Sequence, residues 1–187
     1  MRAHRVVDHV VPQVLNSLRA DLEDYYLATY GTLAEAGAGH AELFSEGRGG
    51  LVAVPDPDPR VRDWVAMAGW TDIRQLGYRD EQLPEGDLTG TVEIKRVYVR
   101  ATHRGQGLST LAEQAMIREM FKDGVTRAVG ETGGPQEFSQ RIHDRPPFRR
   151  RAPFGEFLDQ PDSLFFEVTP ETWQAYERQQ KGELAWL

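Results

Sequence analysis

Apolar residues return at helical spacing from Val10 to Tyr30. Val11, Val14, Leu15, Leu18, Leu22, Tyr25 and Tyr26 share one stripe, with Asn16, Arg19, Asp21 and Glu23 between them. The pattern predicts a helix, and Gly31 after the last periodic residue predicts its stop. Residues Ala34 to Gly50 are rich in Gly and Ala around a Leu43–Phe44 pair and predict a short second helix. Leu51–Val54 is a short strand-type run ending in Pro55-Asp56-Pro57-Asp58-Pro59. Proline supplies no ladder donor, so that stretch predicts a turn or exposed loop. Trp64 to Ile73 alternates loosely and predicts the returning arm of a hairpin; Tyr78 to Gly90 is polar and predicts a loop.

Thr91 to Arg100 is the clearest strand. Val92, Ile94, Arg96 and Tyr98 alternate with Thr91, Glu93, Lys95, Val97 and Val99, and neither set is wholly apolar. His103-Arg104-Gly105-Gln106-Gly107 then predicts a turn, followed by a helix carrying Leu108, Leu111, Ala115, Met116, Ile117 and Met120–Phe121 and closed by Gly124. Thr126–Gly130 predicts a short buried strand and Gly133-Gly134-Pro135 a turn. A weak helix follows, stopped by Pro146–Pro147, and Leu164 to Val168 predicts a last strand. Thr169-Pro170-Glu171 supplies a capping threonine, a proline at the first helical position and an early acid. The helix they open carries Trp173, Tyr176, Leu184 and Trp186, which predict either packing back on the domain or contact with a second copy in a homodimer. No repeat and no linker interrupts this order, which predicts one α/β domain.

Composition narrows the classes. The 187 residues suffice for a real core, and 29 acidic against 22 basic residues give a net charge of -7. That balance argues against a duplex nucleic-acid binder, which needs a basic footprint. With no cysteine in the chain, thiolate metal sites and a cysteine nucleophile are excluded. The amino-terminal segment lacks a signal-like apolar core and no stretch is long enough to span a membrane, which predicts a cytoplasmic protein.

The candidate chemistry lies in a strand, a Gly-rich turn and a helix in direct succession. A helix N-terminus offers unpaired N–H groups and the positive end of the dipole, and glycines let a phosphate approach the backbone. A purely structural turn is the competing reading. There is no Gly-Lys-Ser/Thr and no full G-x-G-x-x-G, so nucleotide-triphosphate and dinucleotide motifs fit worse.

Glu93 to Val99 followed by Arg104-Gly105-Gln106-Gly107-Leu108 resembles the fourth strand and acetyl-CoA motif, Gln/Arg-x-x-Gly-x-Gly/Ala, of the GNAT N-acetyltransferase superfamily. Glu131-Thr132-Gly133, Gln136, Phe148, Pro153-Phe154-Gly155-Glu156 and Pro161 to Glu167 resemble a second segment of one subgroup. The resemblance covers about Thr91–Val168 well and Val10 to Ile73 more loosely. It implies a GNAT-like mixed, twisted central sheet of the α/β (α+β) class, flanked by helices, whose fourth and fifth strands splay apart. The domain would span residues 1–170, with 171–187 a helical extension. Acetyl-CoA is the implied acyl donor, with no metal, and an amine the implied acceptor. Pantetheine would pair with the backbone of Val97, Tyr98 and Val99. The pyrophosphate would sit on N–H groups of Arg104, Gly105, Gln106, Gly107, Leu108 and Ser109, with Thr132 and Gln136 as further cofactor contacts.

Two positions depart from the family pattern. Ser109 stands where Gly or Ala is usual. The tyrosine that protonates the leaving thiolate falls on His143, and the Leu-Gly before Phe148 becomes Pro146–Pro147. The resemblance makes Glu93 a candidate general base, against a strand glutamate merely paired with Lys95 or Arg96, and His143 a candidate acid, against an exposed helix histidine. Arg104 is a candidate phosphate ligand, whereas Arg149-Arg150-Arg151 reads better as a solvated face. Trp64, Trp70 and Tyr78 could line an acceptor pocket or fill the core. A non-catalytic acyl-CoA-binding or regulatory module, its acid lost, is the alternative to an N-acetyltransferase.

Overall fold

The computed structural model describes residues 1–31, 38–156 and 158–184. Seven strands form one sheet in the order β1-β2-β3-β4-β5-β7-β6. They are β1 (His4–Arg5), β2 (Gly49–Pro55), β3 (Trp64–Asp72), β4 (Thr91–Val99), β5 (Arg127–Thr132), β6 (Arg149–Arg150) and β7 (Leu164–Val168). Four α-helices accompany them: α1 (Val11–Tyr30), α2 (Leu108–Lys122), α3 (Glu137–His143) and α4 (Pro170–Leu184). Among the described residues only the β4–β5 pair is parallel. That pairing needs a crossover, and α2 supplies it. Among the described residues no helix is long and apolar enough to cross a membrane.

The predicted helix over Val10–Tyr30 is α1, ended by Gly31 in the left-handed region (φ 70°). Its apolar stripe packs with Leu51, Ala53, Met67 and Tyr98 on one face of the sheet. The other face packs on α2 and α4 through Val52, Ala68, Trp70, Val92, Met116, Ile117 and Trp173. A smaller cluster of Ile73, Val129, Phe154 and Phe165 lies under the 76–88 loop. The hairpin across the proline loop is β2–β3, with Leu51 opposite Gly69. Pro55 closes β2 at an irregularity in the pairing, where a missing donor costs least.

The structure refines the sequence pattern in several places. The helix predicted over Ala34 to Gly50 is a 3-10 segment, Ala38–Phe44, and residues 34–37 lie outside the described residues. The two-residue strands β1 and β6 are too short to carry a period. The carboxy-terminal helix packs back on the domain: Trp173 is 4% exposed, Arg118 sits over its ring, and Gln114 donates to the Tyr176 hydroxyl. The side chain of Leu184 and all of Trp186 lie outside the described residues.

β4 does not alternate strictly. Met67 pairs with Tyr98 but Gly69 with Lys95, so one extra residue is accommodated opposite Ala68. Arg96 takes it up at φ 57°, the left-handed region. A bulge of this kind reverses the facing of everything beyond it. Val92 and Ile94 face α2 before the bulge; after it Val97 and Val99 do, while Tyr98 turns to α1.

Candidate active site

The β4–β5 ladder consists of Thr91↔Arg127, Val92↔Ala128 and Glu93↔Val129, and stops there. β4 continues to Val99 and β5 to Thr132, so the two parallel strands separate just past Glu93. Val97, Tyr98 and Val99 all lie beyond the last pair. The splay implied by the resemblance is present, and the bulge at Arg96 lies within it.

Past the end of β4, Gly105 and Gly107 adopt φ 77° and 74°, and a Cβ on either would meet no atom within 4 Å. The requirement for glycine is therefore conformational, and the space above the turn is open. Gly107 is the N-cap of α2 and offers no side chain to the first-turn N–H groups. Those groups face a ligand or water. Gln106 is exposed, Leu108 is buried beneath the turn, and Ser109 is half-buried in the first turn. The Arg104 side chain folds the other way. Its Nε donates to the Val99 carbonyl at 3.2 Å and its guanidinium lies 5.5 and 5.8 Å from the rings of Tyr25 and Tyr98.

Arg100 braces the same end of β4. Its guanidinium meets Asp21 of α1 at 2.7 Å and Asp63 before β3 at 2.5 Å, and donates to the Ser17 carbonyl. Ser17 also hydrogen-bonds to Asp63. Burial opposes ionisation of Asp63, but the Ser17 and Arg100 bonds outweigh it and hold its carboxyl below the usual carboxylate range.

Glu93 has no exposed surface. It projects from the face opposite α2, where Lys95 of the same parity brings Nζ within 2.6 Å of Oε1. Neither carboxylate oxygen has a well-directed hydrogen bond, so the contact is close in distance but poor in angle. It is an ion pair. Lys95 also donates to the Tyr78 hydroxyl at 3.0 Å and lies 3.6 Å from Glu156, whose N–H donates to Glu131 at 3.0 Å. Burial pushes the Glu93 carboxyl up, and Lys95 and Tyr78 partly offset it. Burial works against the Lys95 ammonium, yet Glu93 and Glu156 outweigh it and raise its pKa. The Tyr78 phenol is pushed up by burial and by Glu93, Glu131 and Glu156, and stays protonated. Tyr78 thus belongs to this polar group. Trp70 is core at 2% exposed, and Trp64 packs on the α1 cluster.

His143 is 4% exposed, stacked 4.1 Å from Phe166 and edge-on to Phe148. It is not an exposed helix histidine. Its Nε2 lies 2.8 Å from Glu113 of α2, and its Nδ1 3.3 Å from the Ser139 hydroxyl and 3.4 Å from that of Thr132. Gln136 sits at the start of α3, its N–H bonded to the Gly133 carbonyl. The Arg149–Arg151 run is mostly a solvated face, with Arg150 paired to Asp144; Arg151 instead packs over Phe154 near Glu167.

Sequence reasoning names Lys95 only as a possible partner of Glu93 and does not single out Glu113. Lys95 shares the parity of Glu93 two residues on, which places both on one face. Glu113 interrupts the apolar stripe of α2 three and four residues before Met116 and Ile117, a polar residue at a core position. Ser139 lies one turn before His143, though nothing marks it without the partner. Among the described residues no group of His, Asp and Glu is arranged to hold a metal ion.

Comparison with known proteins agrees with this geometry. Residues 16–145 match the model of the acetyltransferase (GNAT) family. No curated protein matches the chain. Solved structures of similar fold include a ribosomal-protein-alanine N-acetyltransferase from Brucella melitensis, at 17% identity over 90% of this chain and 99% of that one, with a TM-score of 0.62. An N-acetyltransferase from Staphylococcus aureus Mu50 shares 18% identity over 89% and 96%, with a TM-score of 0.63. An aminoglycoside acetyltransferase solved with coenzyme A shares 15% over 93% and 97%, also with a TM-score of 0.63. The family match spans well over half of the sequence, and the chain belongs to the acetyltransferase (GNAT) family and is an acyltransferase.

Proposed function

We propose that the protein transfers an acetyl group from acetyl-CoA to a primary amine by direct attack of the neutral amine on the thioester. The observation that carries this reading is the early end of the β4–β5 ladder at Glu93↔Val129, which opens a wedge between the glycine turn and a buried carboxylate. N–H groups from Arg104 through Ser109 would take the pyrophosphate, and the backbone of Val97, Tyr98 and Val99 the pantetheine. Thr132 and Gln136 would close the cofactor site from the β5 side. The aminoglycoside acetyltransferase of similar fold was solved with coenzyme A, which supports CoA as the donor. Holding thioester and amine in one cleft supplies much of the acceleration.

Glu93 would accept the proton of the incoming ammonium, directly or through water, and His143 would supply the proton for the thiolate. Glu93, Glu131 and Glu156 around one lysine leave this face of the wedge net negative, which suits a cationic amine. The aminoglycoside acetyltransferase of similar fold was also solved with kanamycin and with ribostamycin, which supports a small-molecule amine as the acceptor.

Release of free thiol from acetyl-CoA, followed across a panel of small cationic amines, tests the reading. Amine-dependent thiol release is expected. CoA binding without turnover of any amine would favour the second reading, a regulatory acyl-CoA module, for which the replaced tyrosine is the supporting observation.

A further inference from the structure

His143 stands where the family's acid is expected, yet both of its ring nitrogens are engaged inside the protein. With Glu113 as a carboxylate, which only accepts, Nε2 would carry a proton and donate it across 2.8 Å. Nδ1 faces two hydroxyls, Ser139 at 3.3 Å and Thr132 at 3.4 Å. Phe166 stacks on one face of the ring and Phe148 meets it edge-on. A ligand in the wedge therefore has no free imidazole nitrogen to meet.

Exposure separates the members of this group. Glu113 and His143 are each 4% exposed and Thr132 2%, whereas Ser139 is half-buried on the first turn of α3. Positions 139 and 143 are four apart on one helix and share a face. Ser139 is the point at which the network opens outward, on the helix that directly follows β5 and hence the splay.

We propose that Ser139 delivers the proton to the leaving CoA thiolate, as the terminal member of a Glu113–His143–Ser139 relay. This rests on the acetyl-transfer reading above. As the carbon–sulfur bond breaks, the thiolate sulfur takes the proton of the Ser139 hydroxyl, and the His143 imidazolium returns one to Ser139 from Nδ1. The ring is left neutral, its Nε2–H still held by Glu113. The second proton, which the attacking nitrogen sheds as the amide forms, restores the imidazolium through Ser139, and the proton that Glu93 took from the ammonium passes to solvent, so one proton is released per turnover. Ser139 is the catalytic residue of this scheme; His143 and Glu113 act through it, and Glu113 is a positioning residue. Thr132, buried at the end of β5, orients the ring through its hydroxyl.

The thiol pKa of bound CoA tests this without any acceptor amine, since thiolate absorbs in the ultraviolet where thiol does not. A hydroxyl and imidazolium aimed at the sulfur favour the thiolate. Wild-type protein with CoA should show at least about tenfold more thiolate than free CoA at a given pH. S139A and E113Q should lose that excess while CoA affinity and melting temperature stay near wild type, and S139T, which keeps a hydroxyl, should retain it. With an accepted amine, S139A should also lower kcat about 10²-fold at nearly unchanged KM for acetyl-CoA. An undisplaced thiol pKa in the wild type, or one that S139A leaves untouched, overturns the relay and spares the acetyl-transfer reading. Absence of CoA binding overturns both.

Discussion

A carboxylate stripped of water keeps its charge only beside a compensating group, and for Glu93 that is Lys95 at 2.6 Å, helped by Tyr78. Removing that ammonium by K95M leaves burial and the nearby Glu156 favouring protonated Glu93, with Tyr78 alone opposing them. A protonated carboxyl accepts no proton. The acid-side limb of the kcat/KM profile should therefore move to higher pH in K95M, while K95R should stay near wild type; an unmoved limb would separate Lys95 from the chemistry. E93Q should lower kcat by about 10²-fold or more if Glu93 takes the substrate proton. Asp63 carries a stability consequence. Its folded pKa is depressed, so its contribution is present above its unfolded pKa and is lost as pH falls through the lower folded value. R100A should remove most of that acid-side dependence and cost about 1–3 kcal/mol, measured by denaturant unfolding across the acid range.

At the scale of elements, the legible ones were those with an uninterrupted period. The α1 stripe ends at a glycine in the left-handed region, the α2 stripe follows a glycine turn, and both emerge where the spacing predicts them. β4 was legible as a strand but not in its facing, because nothing in Thr91–Val99 marks the bulge; an arginine, not a glycine, adopts the positive φ. The reversal matters to function, since it turns Tyr98 to α1 and Val97 and Val99 to α2 inside the wedge. Left-handed φ is costly for a side chain branched at Cβ. R96G should therefore be neutral or slightly stabilising, and R96V should lose about 1–3 kcal/mol in thermal unfolding. Equal stability of the two variants would contradict the bulge. The Glu113–His143 pair escaped sequence reading for another reason: its members are 30 residues apart and meet only in the folded chain.

Across the whole molecule, the sheet is sandwiched between α1 on one face and α2 with α4 on the other, and the wedge between β4 and β5 opens at its centre. α4 is part of this core through Trp173, so W173A should cost about 3–5 kcal/mol of stability. The glycine turn and the β4 side of the splay lie in one stretch of chain, residues 91–109, which explains why they were legible in the sequence. The proposed acceptor face draws on Tyr78, Glu131 and Glu156 from three separate segments, which no single motif marks. The most direct measurement is calorimetry with CoA and acetyl-CoA, paired with thermal melting. Saturable binding of both, with stabilisation of about 2.7 kcal/mol at a hundredfold excess over Kd, is the predicted result. No heat and no change in melting with either compound would contradict the account.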